Sequence, residues 1–212
     1  MRNILTNFAA QQGLAFSTQQ AATLVAYARC VWEKKDFLNL TSAATFEQVL
    51  GRHICDGLTA AAALTKQFAA GTALQLADVG AGCGYIGLTL AVAMPNAHIT
   101  LVESIEKRCK FINWAALTAG IANVSVKNAR LGQGTNFAFD AVTERAMGQL
   151  PDIFNICMDA VKPGGMFMAF QGAHPQAVPG QTPAAQIPYT LPGDNTPRYL
   201  LLFRKVYAEH RV

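Results

Sequence analysis

The chain has 212 residues, of which 51% are hydrophobic and 14% are charged, so it is long enough to bury one sizeable core. It contains no uninterrupted apolar run of the roughly 18 residues that a membrane span needs, and we expect no membrane association. The formal net charge of +4 is compatible with a polyanionic partner, while the odd number of cysteines, five, without a Cys-x-x-Cys pair, argues against a disulfide framework or a zinc site and fits a reducing cytoplasm.

Helical patterns fill the first third of the chain. Helices are predicted over Ala21–Lys34 and over Thr45–Leu64, the second with a break near Gly51. No strand-like alternation interrupts them. We therefore expect a single domain made of a helical N-terminal cap, residues 1–70, and an α/β core, residues 71–212.

Short apolar runs alternate with helical stretches in the remainder of the chain. The runs that read as strands are Leu74–Val79, His98–Val102, Val124–Lys127, Ala141–Thr143, Met166–Phe170 and Arg198–Val206. The helical stretches between them are Gly87–Met94, Ile105–Ala119 (with Trp114 and Leu117 on its inner face) and Gly148–Val161. Such alternation is typical of parallel βαβ units, so the pattern predicts a Rossmann-like α/β fold with a mostly parallel sheet.

Two segments in the second half are interpreted as connections. Lys162-Pro163-Gly164-Gly165 is predicted to end a helix and to form a tight turn before the next strand. Residues 172–197 are rich in Pro, Gly, Gln and Thr, which indicates a long connection with room for one edge strand.

A glycine-rich loop follows the first predicted strand and opens a helix. Glycines let the backbone turn sharply and let a ligand approach it closely, and the helix presents free N–H groups. The loop also satisfies the dinucleotide fingerprint, so a nicotinamide-dependent oxidoreductase remains an alternative. An acidic residue before the first glycine is a poor neighbour for a pyrophosphate, however, and suits the cationic end of S-adenosylmethionine. The residues predicted to contact this cofactor are Asp78, Gly80, Gly82, Gly84 and Tyr85.

A second acidic residue, Glu103, ends the next predicted strand. A carboxylate at this place in a nucleotide-binding fold accepts hydrogen bonds from both ribose hydroxyls. The alternative is a solvated glutamate at a strand end. We predict that Glu103 anchors the cofactor ribose.

Several further segments form a family pattern together with the glycine loop. They are Asn39-Leu40-Thr41, Arg52-His53-Ile54-Cys55-Asp56, Glu103-Ser104, Phe139-Asp140, Arg145-Ala146, Lys162-Pro163-Gly164-Gly165 and Arg198-Tyr199-Leu200. With these segments the chain resembles the bacterial 16S ribosomal RNA guanine-N7 methyltransferases of the RsmG type, once called glucose-inhibited division protein B. The glycine loop alone is common to many methyltransferases, whereas its combination with the N-terminal segments and Arg145-Ala146 is specific.

The resemblance implies a class I methyltransferase fold with a seven-stranded sheet and helices on both faces. It also implies S-adenosylmethionine as cofactor, the N7 atom of a guanine in 16S ribosomal RNA as methyl acceptor, and ribosomal RNA or the small ribosomal subunit as partner. We expect a cytoplasmic monomer without a metal. Arg145 is then the candidate catalytic residue and a cofactor contact, Leu131 and Gly132 are further cofactor contacts, and the substrate-binding candidates are Asn39, Arg52, His53 and Arg198.

The sequence departs from the family pattern at three positions. Ile86 stands where the family usually has a proline, Gly132 where it has an acidic residue, and Gln171 where it has a lysine. A methyltransferase that acts on a small molecule or a protein therefore remains an alternative, as does a cofactor-binding protein without catalysis.

Overall fold

The computed structural model describes residues 1–132 and 137–206. The strands among them form one seven-stranded sheet. The strands are β1 (Gln75–Val79), β2 (His98–Glu103), β3 (Val124–Asn128), β4 (Phe139–Glu144), β5 (Val161–Gln171), β6 (Ala185–Leu191) and β7 (Asp194–Arg204). Their order is β3-β2-β1-β4-β5-β7-β6. The first five are parallel, and β7 pairs antiparallel with both β5 and β6. The expected α/β fold with a mostly parallel seven-stranded sheet is confirmed.

The helices surround this sheet and extend beyond it at the N-terminus. They are α1 (Arg2–Gln11), α2 (Thr18–Leu38), α3 (Phe46–Gln48), α4 (Cys55–Gln67), α5 (Tyr85–Ala93), α6 (Glu106–Ala119) and α7 (Leu150–Asp159). A π-helical turn, Val49–Ile54, joins α3 to α4 and contains Gly51, where the sequence predicts a break. A capping box between Ser17 and Gln20 fixes the start of α2 at Thr18.

Two buried clusters cover the two faces of the sheet. One joins residues of α1, α2, α4, α5 and α6 to alternate strand positions such as Leu76 and Ile99, and the other joins α7 to the positions between them, such as Ala77 and Val142. Helices α4 and α5 approach each other closely at Gly57, where an added Cβ would lie only 2.5 Å from the Cβ of Thr89. This contact fixes the N-terminal helices against the helix that follows the glycine loop.

The Lys-Pro-Gly-Gly segment is not the turn that the sequence predicts, because it belongs to β5. Phe139 pairs with Val161 and Ala141 with Met166, so residues 162–165 bulge opposite the single residue Asp140. Gly164 adopts a φ of +80°, and a Cβ on Gly165 would lie 2.7 Å from the carbonyl oxygen of Asp140. The glycines therefore serve a bulge inside a strand.

The inner face predicted for α6 is wrong at two positions. Trp114 is 38% exposed and Leu117 is 82% exposed, whereas Phe111 and Ile112 of the same helix are buried. Among residues 1–132 and 137–206, no helix combines the length and apolarity needed to cross a membrane, and no group of three or more His, Cys, Asp or Glu side chains is arranged to hold a metal ion.

Candidate functional site

Two neighbouring cavities lie at the carboxyl ends of the parallel strands, where the strand order reverses between β1 and β4. The larger, the central cavity, has a volume of about 550 Å³ and is lined by residues that include Asn39, Arg52, His53, Asp56, Asp78, Tyr85, Arg145 and Arg198. The smaller, the lateral cavity, has a volume of about 430 Å³ and is lined by residues that include Glu103, Ile105, Arg130, Leu131, Met147 and Ile156. Gly80, Arg108 and Ala146 line both, so the two cavities meet at the glycine loop.

The glycine loop holds its backbone in the left-handed region. Gly80 and Gly82 have φ values of +64° and +62°. A Cβ at Gly80 would lie 3.0 Å from the side chain of Met147, whereas a Cβ at Gly82 would meet nothing closer than 4.0 Å. The space beside Gly82 is therefore open, as a loop that accepts a ligand requires.

Glu103 is only 4% exposed, and its carboxylate is hydrogen-bonded to the backbone of two segments, the glycine loop and the start of α6. Oε2 accepts a hydrogen bond from the Gly82 N–H, and Oε1 accepts one from the Ile105 N–H, both at 2.8 Å. A carboxylate oxygen accepts more than one hydrogen bond, so both oxygens keep acceptor capacity toward the lateral cavity that Glu103 lines.

Asp78 lines the central cavity, but its carboxylate is engaged inside the fold. Oδ2 accepts from the Gly87 N–H at 2.8 Å, and Oδ1 accepts from the Thr143 hydroxyl at 3.3 Å. Burial raises the pKa of this carboxyl to about 6. Asp78 thus fastens the first turn of α5 to β1 and β4 and fixes the course of the loop between them.

Arg145 follows β4 and is the centre of a polar network in the central cavity. Its Nη1 donates to Oδ2 of Asp56 at 2.7 Å and to Nδ1 of His53 at 3.2 Å. Its guanidinium carbon lies 5.3 Å from the centroid of the Tyr85 ring, within the range of a cation–π interaction. The position of the guanidinium is therefore fixed from three sides.

His53 is neutral in this network. An arginine only donates, so Nδ1 of His53 is the acceptor and Nε2 carries the proton, which it donates to Oγ1 of Thr41 at 3.2 Å. Burial, followed by the charges of Arg145, Arg52 and Arg198, lowers the pKa of His53 to about 3. The imidazole also stacks on Tyr85, with 4.4 Å between ring centroids.

Most of the residues predicted for the site line one of the two cavities, with two exceptions, Gly84 and Gly132. A Cβ on Gly84 would lie 3.1 Å from the Leu88 side chain and 3.2 Å from that of Leu101, so this glycine lets the loop pack against α5 and β2. Leu131 lines the lateral cavity, whereas Gly132 lines neither cavity; a Cβ on it would lie 3.1 Å from the Ile156 side chain.

Tyr189 of β6 supports the site from outside the central cavity, through a hydrogen bond to Asp56. Sequence reasoning missed it, because nothing in a Pro- and Gly-rich connection points to a role for one tyrosine. Asp56 could be found from the sequence, because it belongs to the family segment Arg52-His53-Ile54-Cys55-Asp56.

The sheet order, the glycine loop after β1 and the acidic residue at the end of β2 define a class I methyltransferase. Solved structures support this fold. A putative O-methyltransferase from Klebsiella pneumoniae is 14% identical, with 85% of this chain and 90% of that chain covered and a TM-score of 0.59. An RNA methyltransferase from Salinibacter ruber, in complex with S-adenosyl-L-homocysteine, is 18% identical, with 63% and 81% covered and a TM-score of 0.51.

Sequence comparison narrows the class to one family. A family model described as rRNA small subunit methyltransferase G matches residues 20–185. Ribosomal RNA small subunit methyltransferase G of Leptothrix cholodnii is 33% identical over 177 residues, which cover 83% of this chain and 80% of that protein. The protein of the same name from Aromatoleum aromaticum is 32% identical over 206 residues, with 92% and 95% covered. The chain belongs to the rRNA small subunit methyltransferase G family, and the predicted resemblance is confirmed.

Proposed function

We propose that this protein transfers the methyl group of S-adenosylmethionine to N7 of a guanine in 16S ribosomal RNA. The observation that carries the proposal, beside the family, is the junction of the two cavities at Gly80, Arg108 and Ala146. A cofactor in one cavity and an acceptor in the other would meet at this junction. Transfer then depends on holding nucleophile, methyl carbon and sulfur in line.

The lateral cavity fits the adenosine part of the cofactor. Glu103 offers carboxylate oxygens to the ribose hydroxyls, and Ile105, Leu131 and Ile156 offer apolar surface to the adenine. The bare backbone at Gly82 leaves room for the chain that runs from the ribose toward the central cavity. When bound, S-adenosylmethionine supplies a methyl group on a good leaving group.

The central cavity fits an acceptor that needs no general base. Guanine N7 carries a lone pair and no proton, and the histidine in the cavity, His53, is neutral and already hydrogen-bonded. Nη2 of Arg145 has no partner among the described residues, so it is free to donate to guanine O6, a good arginine acceptor. The buried carboxylate of Asp56 balances the charge of Arg145, so the guanidinium does not add to the positive charge that N7 methylation places on the purine.

Tyr85 supplies one more donor to this cavity. It is 5% exposed, and its hydroxyl has no hydrogen-bond partner among the described residues. Burial raises the pKa of the phenol far above its usual range, so the hydroxyl keeps its proton. A bound ligand that accepts this hydrogen bond would satisfy a buried group that otherwise costs free energy.

The lining of the central cavity favours RNA over a neutral small molecule. Arg52, Arg108, Arg145 and Arg198 all contribute to it. Such a lining attracts a polyanion. The target guanine must be unpaired or flipped, because A-form RNA hides N7 in a deep, narrow groove. We further propose that the protein acts as a cytoplasmic monomer.

Incubation with tritiated S-adenosylmethionine tests the proposal. Naked 16S ribosomal RNA, small subunits and total protein are the acceptors, all taken from cells that lack this enzyme so that the target is unmethylated. Label is expected in the RNA or the subunits, at a 7-methylguanine located by chain cleavage. Label in protein, or at another guanine atom, would contradict the proposed acceptor.

A further inference from the structure

A third cavity adjoins the central one at Arg52. This hairpin cavity has a volume of about 610 Å³ and lies between the N-terminal helices and the turn that joins β6 to β7. Its lining includes Ile4, Glu47, Gln48, Arg52, Gly193 and Asp194. Arg52 lines the central cavity as well, so one arginine stands where the two spaces meet.

Asp194 holds two arginines at this boundary. Its Oδ2 lies 3.3 Å from Nη2 of Arg198 and 3.9 Å from Nη2 of Arg52. Its Oδ1 accepts a hydrogen bond from the Thr196 N–H at 2.9 Å, which fixes the carboxylate on the turn. The three side chains together carry one net positive charge, which matches the single negative charge of a phosphodiester.

The arginines keep donors for a further acceptor. The Nε atom of Arg198 is buried and has no partner among the described residues, although Arg198 lines the central cavity. A buried guanidinium N–H without a partner costs free energy that an oxyanion would recover. The side chain of Arg52 is 47% exposed and makes only the long contact with Asp194 within the described structure. Both side chains are thus able to bind an anion without breaking a short hydrogen bond.

We propose that Arg52 and Arg198 bind the phosphodiester that joins the target guanosine to its neighbour in the RNA. The guanosine occupies the central cavity and the neighbouring nucleotide occupies the hairpin cavity. This inference rests on the proposed function and adds to it that the acceptor is read as at least two linked nucleotides. A separate cavity on the far side of the arginines has no use for an isolated small-molecule acceptor.

Binding to a chemically altered RNA tests this assignment without depending on methyl transfer. The probe is a single-stranded RNA hexamer with one guanosine, and two further hexamers carry an uncharged methylphosphonate on the 5′ or the 3′ linkage of that guanosine. Dissociation constants are measured by fluorescence anisotropy with the protein saturated with S-adenosyl-L-homocysteine. One of the two methylphosphonates is expected to weaken binding by the wild type about tenfold, the loss of one charge-assisted contact.

The variants Arg198→Gln and Arg52→Gln identify the partner of that phosphate. On the unmodified hexamer each is expected to bind about tenfold more weakly, and the sensitive methylphosphonate should then cost no more than about twofold. Arg29→Gln, which removes an exposed charge outside both cavities, should bind all three hexamers as the wild type does. Equal sensitivity to the neutral linkage in the wild type and both variants, no sensitivity at either linkage, or no binding of the unmodified hexamer would overturn the inference. Failure of the proposed function is separately visible, as absence of transfer to 16S ribosomal RNA by the same wild-type preparation.

Discussion

The hydroxyl of Tyr189 donates a hydrogen bond of 2.8 Å to Oδ1 of Asp56, although the two residues are 133 positions apart in the chain. The other oxygen of Asp56 accepts from Arg145. Tyr189 belongs to β6, at the edge of the sheet, and does not line the central cavity. An edge strand therefore helps to fix the arginine beside the proposed reaction centre.

Replacing Tyr189 by Phe should loosen Arg145 without emptying the cofactor site. The change removes one buried donor at nearly constant volume, so Asp56 loses an anchor worth about 1 kcal/mol. We expect kcat for methyl transfer to fall about threefold to tenfold, with unchanged affinity for S-adenosylmethionine in calorimetry. Tyr199→Phe on the neighbouring strand removes a hydroxyl outside this network and should leave kcat unchanged. Equal loss in both variants would show that the contact with Asp56 has no positioning role.

Replacing Glu103 by Gln should weaken cofactor binding. An amide has one acceptor oxygen, so it cannot accept from both Gly82 and Ile105, nor from both ribose hydroxyls. The affinity for S-adenosyl-L-homocysteine, measured by calorimetry, should fall about tenfold or more. Glu106→Gln, an exposed change on the adjacent helix, serves as the control and should bind as the wild type does. Unchanged affinity of Glu103→Gln would refute the assignment of the lateral cavity to the nucleoside.

Replacing Gly82 by Ala should separate backbone strain from loss of ligand space. Alanine at a φ of +62° costs about 1–2 kcal/mol of stability, and its Cβ enters open space beside the glycine loop. Gly180→Ala is the matched control, because Gly180 has a φ of +73° with nothing within 4 Å and lies outside both cavities. Both variants should melt at lower temperature, but only Gly82→Ala should lose affinity for S-adenosyl-L-homocysteine. Full affinity in the Gly82 variant would mean that the ligand does not approach this part of the loop.

Glu144 makes stability depend on pH in a specific direction. Burial raises the pKa of this carboxyl to about 7, above its ordinary value of 4.5. Between these values the folded state binds more protons than the unfolded state, so the free energy of unfolding falls as pH rises from about 4.5 to 7. Glu144→Gln removes the titrating group, so this decrease in the free energy of unfolding should disappear.

Urea denaturation at pH 5 and pH 8 measures the effect. Relative to the wild type, Glu144→Gln should gain about 2–3 kcal/mol more at pH 8 than at pH 5. The exposed change Glu33→Gln should show no such difference between the two pH values. A constant difference between wild type and Glu144→Gln at both pH values would contradict the raised pKa.

The sequence predicts the sheet and the loop well because their signals are local. Most of the parallel strands contain a short apolar run, and the glycine loop depends on residues next to one another. The Lys162–Gly165 bulge was misread as a turn, since its form depends on pairing with Asp140, which the sequence around it does not reveal. Trp114 and Leu117 fit the helical period of α6 but are exposed, because the period alone does not show how wide the covered face of a helix is.

The polar network was predicted only in part for a related reason. Asn39, Arg52, His53 and Arg145 stand in motifs, so a family resemblance brings them forward. Tyr189 joins them only because β6 pairs with β7, which lies antiparallel to β5, and no short stretch of sequence contains that topology. The motif residues were therefore predicted, whereas the contact that Tyr189 makes from a distant strand was not.

The π-helical turn Val49–Ile54 sets the rotation of α3 relative to α4 in the N-terminal cap. The Cys55 N–H reaches back five residues to the Leu50 carbonyl, so the turn holds one residue more than an α-helix would. One residue corresponds to about 100° of rotation about a helix axis. Arg52 and His53 lie in this turn and line the central cavity together with Asp56 of α4. Deleting one residue of the turn would rotate the helices before it by about 100° relative to α4, so the length of this short segment is itself part of the site.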